Sequence, residues 1–372
     1  MRRRPGEVRD AIVSVLRARP RGASVTEITQ RVTSLIGDVP ASSVRSYLQL
    51  NTPQLFARMD RAQYALNGFD YRPIVPKDVS IRSAQFGQAA LINDDCLTWL
   101  ERQSSNSVQA VVTDPPYGLV EYSDLEQKKL RAGRGGVWRI PPSFDGSKRS
   151  PLPRFTVLKQ TDLDALEQFF LAWGSRLLPV LVPGANVVVA SNPLLSYLVS
   201  GALCRAGLER RGEIVRLVMT MRGGDRPKHA HEEFPDVSVM PRSMWEPWLV
   251  FRKPIDGRVQ DNLRKWNTGG FRRISADRPF GDVIESSPTR PSERALAPHP
   301  SLKPQAFLRQ LVRGVLPLGR GTVLDPFAGA GSTLAAAEAV GYQSIGVEKD
   351  LEYFKVAAKA IPKLARLPLK EI

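Results

Sequence analysis

Two short motifs in this 372-residue sequence combine residue types that can do chemistry. The first, Asp114-Pro115-Pro116-Tyr117, follows the apolar run 108–112. Its two prolines stiffen the turn and remove backbone donors, which leaves carbonyl oxygens directed outward as acceptors. The Asp114 carboxylate and the Pro115 carbonyl can together accept both hydrogens of an amino group, which frees the nitrogen lone pair for attack. Tyr117 adds an aromatic plane for stacking, but taken alone the tetrapeptide is equally compatible with an ordinary turn.

The second motif is the glycine-rich segment 325–332, Asp-Pro-Phe-Ala-Gly-Ala-Gly-Ser, which follows the apolar run 322–324. Gly329 and Gly331 allow the backbone to approach a ligand closely. Glu348 ends the next apolar run, where a carboxylate can hold both hydroxyls of a ribose. The residues expected to bind the ligand are therefore Asp325, Phe327, Gly329, Gly331, Ser332 and Glu348.

Several ligands compete for this second pattern. A phosphate-binding P-loop needs a lysine where Ser332 stands. A dinucleotide site would bring a pyrophosphate close to Asp325, which would repel it, and requires a third glycine at the position of Leu334. A sulfonium nucleoside that carries a methionine ammonium suits the acid better. The remaining alternative is an ordinary strand–turn–helix without a ligand.

In this order the two motifs resemble the amino-methyltransferase family of DNA methylases, in its permuted beta class, over about residues 86–360. The resemblance implies S-adenosylmethionine as the cofactor, double-stranded DNA as the partner, and direct attack of a flipped-out base on the methyl group. It gives the catalytic role to Asp114, Pro115, Pro116 and Tyr117. It further implies that Asp95 contacts the adenine of the cofactor and that Lys303 lies near its methionine end, although Leu302 stands where the family usually has Gln. A cognate restriction endonuclease is a further candidate partner.

The base is expected to be adenine, methylated at N6, because the cytosine-N4 members of the family often carry Ser at the position of Asp114. Cytosine-N4 methylation is the first alternative. Cytosine-C5 methylation is disfavoured because it needs a thiol that typically follows a proline, whereas Cys96 follows Asp95 and Cys204 follows Leu203. RNA is a less favoured substrate. The alternative of another class is a DNA-binding regulator whose methylase fold no longer turns over.

The elements that must position both motifs alternate between apolar strands and helices from about residue 86 onward. The clearest strands are 108–112, 186–190, 247–251, 322–324 and 344–347, and the clearest helices are 163–178, 194–206 and 304–316. This alternation predicts an α/β doubly wound, Rossmann-like methyltransferase domain over residues 86–372. Ligands bind such sheets beyond the carboxyl ends of the strands, and both motifs stand at strand ends.

Residues 1–72 are expected to form a separate unit, joined to the rest by a proline-containing linker over 73–85. The sequence predicts helices over 9–19, 25–35 and 41–51, followed by a hairpin between residues 55 and 66. This succession resembles a winged helix-turn-helix domain, whose third helix would place Ser43, Arg45 and Gln49 in a DNA major groove. The alternative is a winged helix that contacts protein.

The charge of the chain favours a polyanionic partner, because 53 Lys and Arg residues against 37 Asp and Glu residues give a net charge of +16. Two further regions are expected to contact DNA: a mobile loop over 118–160 and a target-recognition region over 220–290. The contact residues predicted in them are Arg134, Arg139, Arg222, Lys265 and Arg272. The alternative for the loop is a disordered insertion.

The two cysteines and three histidines are too few and too widely spaced for a disulfide framework or a metal site. The sequence contains no run of about 18 apolar residues and no secretory apolar core. It therefore predicts a soluble protein of the cytoplasm, associated with the nucleoid through DNA.

Overall fold

The computed structural model describes most of the chain. Its residue contacts divide the chain into two compact units, Met1–Ser80 and Ile81–Ile372. The described residues are 7–17, 19, 22–52, 55–60, 62–66, 82–116, 160–222, 226–227, 230–241, 243–299 and 302–368. Within them, no helix is both long enough and apolar enough to cross a membrane.

The first unit has three helices and a small antiparallel sheet. Its elements are α1 (Glu7–Arg17), β1 (Ala23–Ser24), α2 (Val25–Ile36), α3 (Ala41–Leu50), β2 (Phe56–Asp60) and β3 (Gln63–Leu66), and the strands lie in the order β1-β3-β2. The Ser24 side chain caps α2 by accepting a hydrogen bond from the Glu27 N–H at 3.1 Å. Gly37 ends that helix with a φ of 80°, a conformation that favours glycine. The three helices and the hairpin that the sequence predicted are present, with ends shifted by about two residues.

The second unit contains one mixed sheet, to which nine strands of the described residues belong. They are β4 (Arg82–Phe86), β5 (Ala89–Asn93), β6 (Val108–Thr113), β7 (Leu181–Ala190), β8 (Glu209–Arg222), β9 (Ser243–Arg252), β10 (Val283–Glu285), β11 (Thr322–Asp325) and β12 (Gln343–Glu348). Their order in the sheet is β10-β8-β9-β7-β6-β11-β12-β5-β4. The central strands β5, β12, β11, β6 and β7 are parallel, β9 is antiparallel to both β7 and β8, and β4 is antiparallel to β5.

Helices cover both faces of this sheet. They are α4 (Cys96–Glu101), α5 (Gln160–Val180), α6 (Ser196–Arg205), α7 (Val259–Trp266), α8 (Pro291–Leu296), α9 (Gln305–Val315), α10 (Ser332–Ala339) and α11 (Leu351–Ala365). Successive residues of β6 pack on opposite faces: Val111 shares a core with Trp173 of α5, and Val112 shares another with Phe307 of α9. Burial on both faces explains why the parallel strands are continuous apolar runs in the sequence. The α/β doubly wound prediction is confirmed.

Two boundaries differ from those predicted. Residues 82–85 were assigned to the linker, but they pair with β5 as part of β4, so a linker can extend only to residue 81. The range 220–290 was assigned to target recognition as a whole. It includes β9, which lies inside the sheet between β7 and β8, and α7, which packs against β7. Residues 231–239, between β8 and β9, are exposed and lie outside the strands, as do residues 253–282 between β9 and β10, and target recognition by this range stays a prediction.

Candidate active site

The residues with predicted chemistry follow four consecutive strands of the sheet. Asp95 lies just after β5, Glu348 ends β12, Asp325 ends β11, and Asp114 follows β6. Because β5, β12, β11 and β6 are parallel, their carboxyl ends share one edge of the sheet. We call it the catalytic edge because it carries all four candidate residues. The two motifs, far apart in the sequence, therefore meet at neighbouring strand ends, as the sequence predicted.

A hydrogen bond joins the residue that precedes the first motif to the first residue of the second motif. The Thr113 hydroxyl, just before Asp114, donates to Oδ1 of Asp325 at 2.6 Å, and both side chains are buried. The Phe327 N–H donates to the same oxygen at 3.2 Å. Burial raises the pKa of Asp325 to about 6, although these donors oppose the shift. A buried carboxylate with a raised pKa is well suited to a cationic ligand.

The glycine turn has the backbone conformation that its sequence requires. Gly329 and Gly331 have φ values of 50° and 78°, and Gly331 precedes α10. A Cβ on Gly331 would lie 2.5 Å from Cγ1 of Ile361, so a side chain there would displace packed atoms. A Cβ on Gly329 would lie 3.2 Å from Nε2 of His299, which places that histidine against the turn. The turn is therefore closely packed at both glycines.

Glu348 is bound to the glycine turn. Its carboxylate accepts the Gly329 N–H at 2.7 Å through Oε2 and the Asp350 N–H at 2.7 Å through Oε1. Burial raises the pKa of Glu348 to about 7 despite these two bonds. Within the described ranges, neither Glu348 nor Asp325 forms a salt bridge. Asp325 and Glu348, which form no salt bridge with any described residue, thus flank the glycine turn.

Phe327 and Ser332 occupy the two ends of the turn. The Phe327 ring contacts Trp173 and Phe169 of α5, with centroid separations of 5.5 and 5.9 Å. Its half-buried side chain therefore forms part of the wall between the turn and α5. The Ser332 carbonyl accepts a hydrogen bond from the Gln305 side chain at 2.9 Å, which fixes the start of α10 against α9.

Asp95 has a structural role as the N-cap of α4. Its Oδ1 accepts the N–H groups of Leu97 at 2.9 Å and Thr98 at 3.3 Å, and its Oδ2 lies 3.0 Å from Nζ of Lys349. Burial alone would raise the pKa of Asp95, but these partners outweigh it and hold the pKa below its ordinary value. Its position beside Glu348 is compatible with a cofactor contact, and that contact stays a prediction.

The turn that begins at Asp114 is described as far as Pro116. Asp114 is half-buried, Pro115 is buried and Pro116 is exposed, while Tyr117 lies outside the described residues. The Asp114 carboxylate contacts the Lys303 ammonium, which is itself buried. Lys303 also lies 3.1 Å from Glu246 of β9. The resemblance placed Lys303 near the methionine end of the cofactor, which stays a prediction. In the structure, its ammonium contacts two carboxylates, and one of them belongs to Asp114, the catalytic candidate.

The cysteines agree with the exclusion of a thiol mechanism. Cys96 is buried in α4, and burial raises the pKa of its thiol to about 12. Cys204 is exposed on α6, a helix whose residues pack with α5. Among the described residues, no group of three or more His, Cys, Asp or Glu side chains has an arrangement that could hold a metal ion.

The predicted DNA contacts fall into separate places. On α3, Arg45 and Gln49 are exposed and Ser43 is half-buried. Arg222 ends β8, which runs parallel to β7 and so reaches the catalytic edge; the placement of its side chain is not described. Arg134 and Arg139 lie outside the described residues.

Lys265 and Arg272 lie at the opposite edge of the sheet. The helix α7, which carries Lys265, is held by Asn262 bonded to the Pro183 carbonyl at the amino end of β7. The Arg272 guanidinium donates to the Tyr342 hydroxyl at 2.7 Å, just before β12 begins. Both residues therefore lie away from the Asp114 turn, and their predicted contact with DNA stays a prediction.

Sequence reasoning missed Glu246 and Arg216. They face each other across β8 and β9, and Nη1 of Arg216 lies 2.8 Å from Oε2 of Glu246. Neither residue belongs to a motif, and β8 itself was not predicted because charged residues interrupt its apolar pattern. In the sequence, the one indication of this pair is that the acid Glu246 directly precedes the apolar run 247–251.

Comparison with known proteins agrees with this geometry. A family model described as DNA methylase, of the N6 and N4 methyltransferases, matches residues 108–359, which include both motifs. The Type II methyltransferase M.HindIII of Haemophilus influenzae is 22% identical over 295 residues, covering 73% of this chain and 94% of that protein. The Type II methyltransferase M2.DpnII of Streptococcus pneumoniae is 21% identical over 271 residues, covering 73% and 88%.

Solved structures with similar architecture include a putative DNA modification methylase of Thermus thermophilus in complex with S-adenosyl-L-methionine. It is 19% identical, with a TM-score of 0.47, and the match covers 74% of this chain and 93% of that one. The family match extends over more than half of the chain and contains the whole catalytic edge except the Asp95 segment. The chain therefore belongs to the DNA methylase family and is an S-adenosylmethionine-dependent methyltransferase of adenine N6 or cytosine N4.

Proposed function

We propose that this chain methylates N6 of adenine in double-stranded DNA, at a base rotated out of the helix into the catalytic edge. The observation that carries the proposal is the junction between the two motifs, where Thr113 bonds to Asp325 at 2.6 Å and Asp114 follows immediately. That junction puts a hydrogen-bond acceptor for the base amine next to the acids of the glycine turn. Both reacting groups can therefore be held in one place.

The residues of the glycine turn fit S-adenosylmethionine, which supplies an electrophilic methyl group when bound. Asp325 and Glu348 are acids whose pKa values burial raises, so a cationic ligand that donates hydrogen bonds would satisfy both. We assign the ribose hydroxyls to Glu348, the adenine to Asp95 and the cationic end to Asp325. Phe327, Gly329, Gly331 and Ser332 form the rest of the site.

Asp114 and Pro115 act on the base in this proposal. The Asp114 carboxylate accepts one hydrogen of the base amine and the Pro115 carbonyl accepts the other. Acceptance of both hydrogens favours a pyramidal nitrogen whose lone pair is available for in-line attack. Pro116 stiffens the turn. Tyr117 is assigned to stacking on the flipped base.

The choice of adenine rests on Asp114. The amine of adenine and the amine of cytosine are both donors of two hydrogens, so the geometry of acceptors alone does not select between them. The cytosine-N4 members of the family often carry Ser where this chain has Asp114, which favours adenine. Cytosine N4 remains the alternative outcome of the test.

DNA binding is assigned to three regions of the chain. The exposed face of α3, with Ser43, Arg45 and Gln49, is assigned to the major groove. Arg222 at the end of β8 is assigned to DNA near the flipped base. The loop with Arg134 and Arg139 is assigned to closure over the base. Because the relatives are named as Type II methyltransferases, we also propose that a restriction endonuclease with the same recognition site accompanies this enzyme.

The test uses labelled S-adenosylmethionine and mixed-sequence double-stranded DNA. The product is hydrolysed to nucleosides and identified by mass spectrometry, and N6-methyl-2′-deoxyadenosine is expected. Asp114→Ala should abolish transfer while the protein still binds S-adenosylmethionine, because Asp114 is not assigned to the cofactor. Detection of N4-methyl-2′-deoxycytidine would instead identify cytosine as the methylated base. Equal transfer by wild type and Asp114→Ala would contradict the role of Asp114, and no transfer by either would favour a regulator.

A further inference from the structure

Four charged side chains form a continuous row that ends at the catalytic aspartate. The Asp114 carboxylate contacts the Lys303 ammonium, Lys303 lies 3.1 Å from Glu246, and Glu246 lies 2.8 Å from Arg216. The charges alternate in sign along the row, which we call the charge row. It starts on β8, crosses β9 and reaches the turn after β6. The row thus connects the antiparallel part of the sheet to the catalytic turn.

Arg216 gives the charge row a fixed end. Its Nε donates to the Ser286 hydroxyl at 3.1 Å, and its Nη2 donates to the Ser287 carbonyl at 3.2 Å. The guanidinium lies 5.2 Å from the ring centroid of Phe307. Its side chain is 8% exposed, so little movement is available to it. Because Arg216 lies directly opposite Glu246 in the register of β8 and β9, it holds the Glu246 carboxylate on one side.

Lys303 depends on both of its carboxylates. A buried ammonium is costly unless it is paired, and the Lys303 side chain is only 10% exposed. Burial lowers the pKa of Lys303, but Asp114 and Glu246 outweigh it and hold the pKa above its ordinary value. Burial likewise raises the pKa of Glu246, but Lys303 and Arg216 outweigh it and hold the pKa below its ordinary value. Lys303 and Glu246 are therefore both charged at neutral pH.

We infer that Glu246 is a positioning residue for methyl transfer, which holds the Lys303 ammonium where it fixes the Asp114 carboxylate toward the base. Arg216 anchors Glu246 in turn. The inference rests on the proposed function, since it takes Asp114 as the acceptor of the base amine. It differs from the role that the resemblance gave to Lys303, because the ammonium here serves the catalytic carboxylate and not the cofactor.

The reaction gives a reason for such a device. Asp114 must accept a hydrogen from an amine whose nitrogen is in line with the methyl group, and a carboxylate on an unsupported side chain samples several rotamers. A misplacement of about 1 Å at a reacting group can cost about a hundredfold in rate. Holding Lys303 between two carboxylates restricts it to one position, and Lys303 then restricts Asp114. The effect should therefore appear in the chemical step and not in cofactor binding.

The test compares Glu246→Gln with the control Glu209→Gln in the full chain. Glu209 lies opposite Arg252 across the same two strands, with 2.7 Å between the charged atoms, at the end of the pair of strands away from Asp114. Each substitution removes a carboxylate from a cross-strand arginine, but only Glu246 also contacts Lys303. We would measure methyl transfer to DNA at saturating cofactor, equilibrium binding of S-adenosylmethionine, and unfolding in urea.

The expected result is a kcat for Glu246→Gln that is roughly tenfold to hundredfold below wild type, with cofactor Kd changed by less than about twofold. Glu209→Gln should keep the wild-type kcat even where it loses stability. A wild-type kcat in Glu246→Gln would overturn the inference. Weaker cofactor binding with unchanged kcat would also overturn it, because Lys303 would then serve the cofactor. An inactive wild type would contradict the proposed function instead.

A double variant tests whether Glu246 acts through Lys303. If it does, Lys303→Met combined with Glu246→Gln should be no slower than Lys303→Met alone. Losses that multiply would show that Glu246 acts independently, which would overturn the inference. Should Glu246→Gln fail to fold, Glu246→Asp keeps the charge beside Arg216 but withdraws the carboxylate from Lys303. Reduced kcat with unchanged cofactor Kd in that variant would support the inference, and a wild-type kcat would overturn it.

Discussion

The pKa of Glu348 makes cofactor binding depend on pH in a defined direction. Burial raises this pKa to about 7 in the free protein, whereas a carboxylate that accepts ribose hydroxyls must be ionised in the complex. Below pH 7, binding therefore has to release a proton from Glu348. A fall from pH 8 to pH 6 should weaken the affinity about tenfold through this group, or about 1.4 kcal/mol. Asp325, whose pKa is about 6, should steepen the dependence below that pH.

Isothermal titration calorimetry in buffers of different ionisation enthalpy measures the released protons directly. We expect about 0.9 proton per cofactor from Glu348 at pH 6 and about 0.1 at pH 8. The control is Glu348→Gln, which should bind more weakly at pH 8 and lose this part of the pH dependence. Titration of the amino group of the cofactor is common to both proteins and cancels in their difference.

Two results would refute this reasoning. The first is an identical pH dependence in wild type and Glu348→Gln, which would mean that Glu348 does not change its protonation when the cofactor binds. The second is an affinity that rises as the pH falls, which would mean that the protonated carboxyl is the binding form. Either would remove Glu348 from the ribose site while leaving the family assignment intact.

Three further predictions concern stability and DNA binding. In the ligand-free protein the raised pKa of Glu348 stabilises the fold below about pH 4.5, and this contribution is lost as the pH rises through about 7. Unfolding in urea should therefore show that the free energy of unfolding of wild type falls by about 2–3 kcal/mol relative to that of Glu348→Gln between pH 4.5 and pH 8. Gly331→Ala should destabilise the fold by more than Gly341→Ala. Both glycines have a φ of 78°, so each substitution should cost about 1–2 kcal/mol for that reason, but only a Cβ at Gly331 meets Ile361. Equal losses of stability in the two variants would exclude the clash. Arg45→Ala should reduce the magnitude of the slope of log DNA affinity against log salt concentration by about 0.9. The control Arg264→Ala, on α7 at the opposite edge of the sheet, should leave that slope unchanged. Equal slopes for wild type and Arg45→Ala would remove α3 from the DNA interface.

The parts of the site that the sequence predicted are those that depend on local pattern. Asp114 and Asp325 each follow an apolar run, and apolar runs of that kind are typical of parallel strands buried on both faces. Parallel strands end at a common edge, so the meeting of the two turns followed from the motifs alone. Gly331 was predictable for the same reason, because a tight turn before a helix needs a residue that tolerates positive φ.

The parts that the sequence did not predict depend on register and on side-chain partners. The contact between Asp114 and Lys303 joins residues 189 positions apart, and the one between Arg216 and Glu246 depends on how β8 and β9 are aligned. Lys265 and Arg272 were assigned to DNA because they lie in a basic, aromatic stretch. The charge of a segment does not predict at which edge of the sheet it lies. Both residues lie at the edge opposite to that of Asp114.

The order of strands has a consequence for how the protein is made. β11 and β12 insert between β6 and β5, and 212 residues separate Thr113 from its partner Asp325. On the ribosome, β5 and β6 are therefore complete long before the strands that will pair with their inner sides exist. Each must keep one row of backbone donors and acceptors open until residues 322–348 emerge. Translation that stalls in this interval exposes two apolar strand edges, which makes such nascent chains prone to associate with one another.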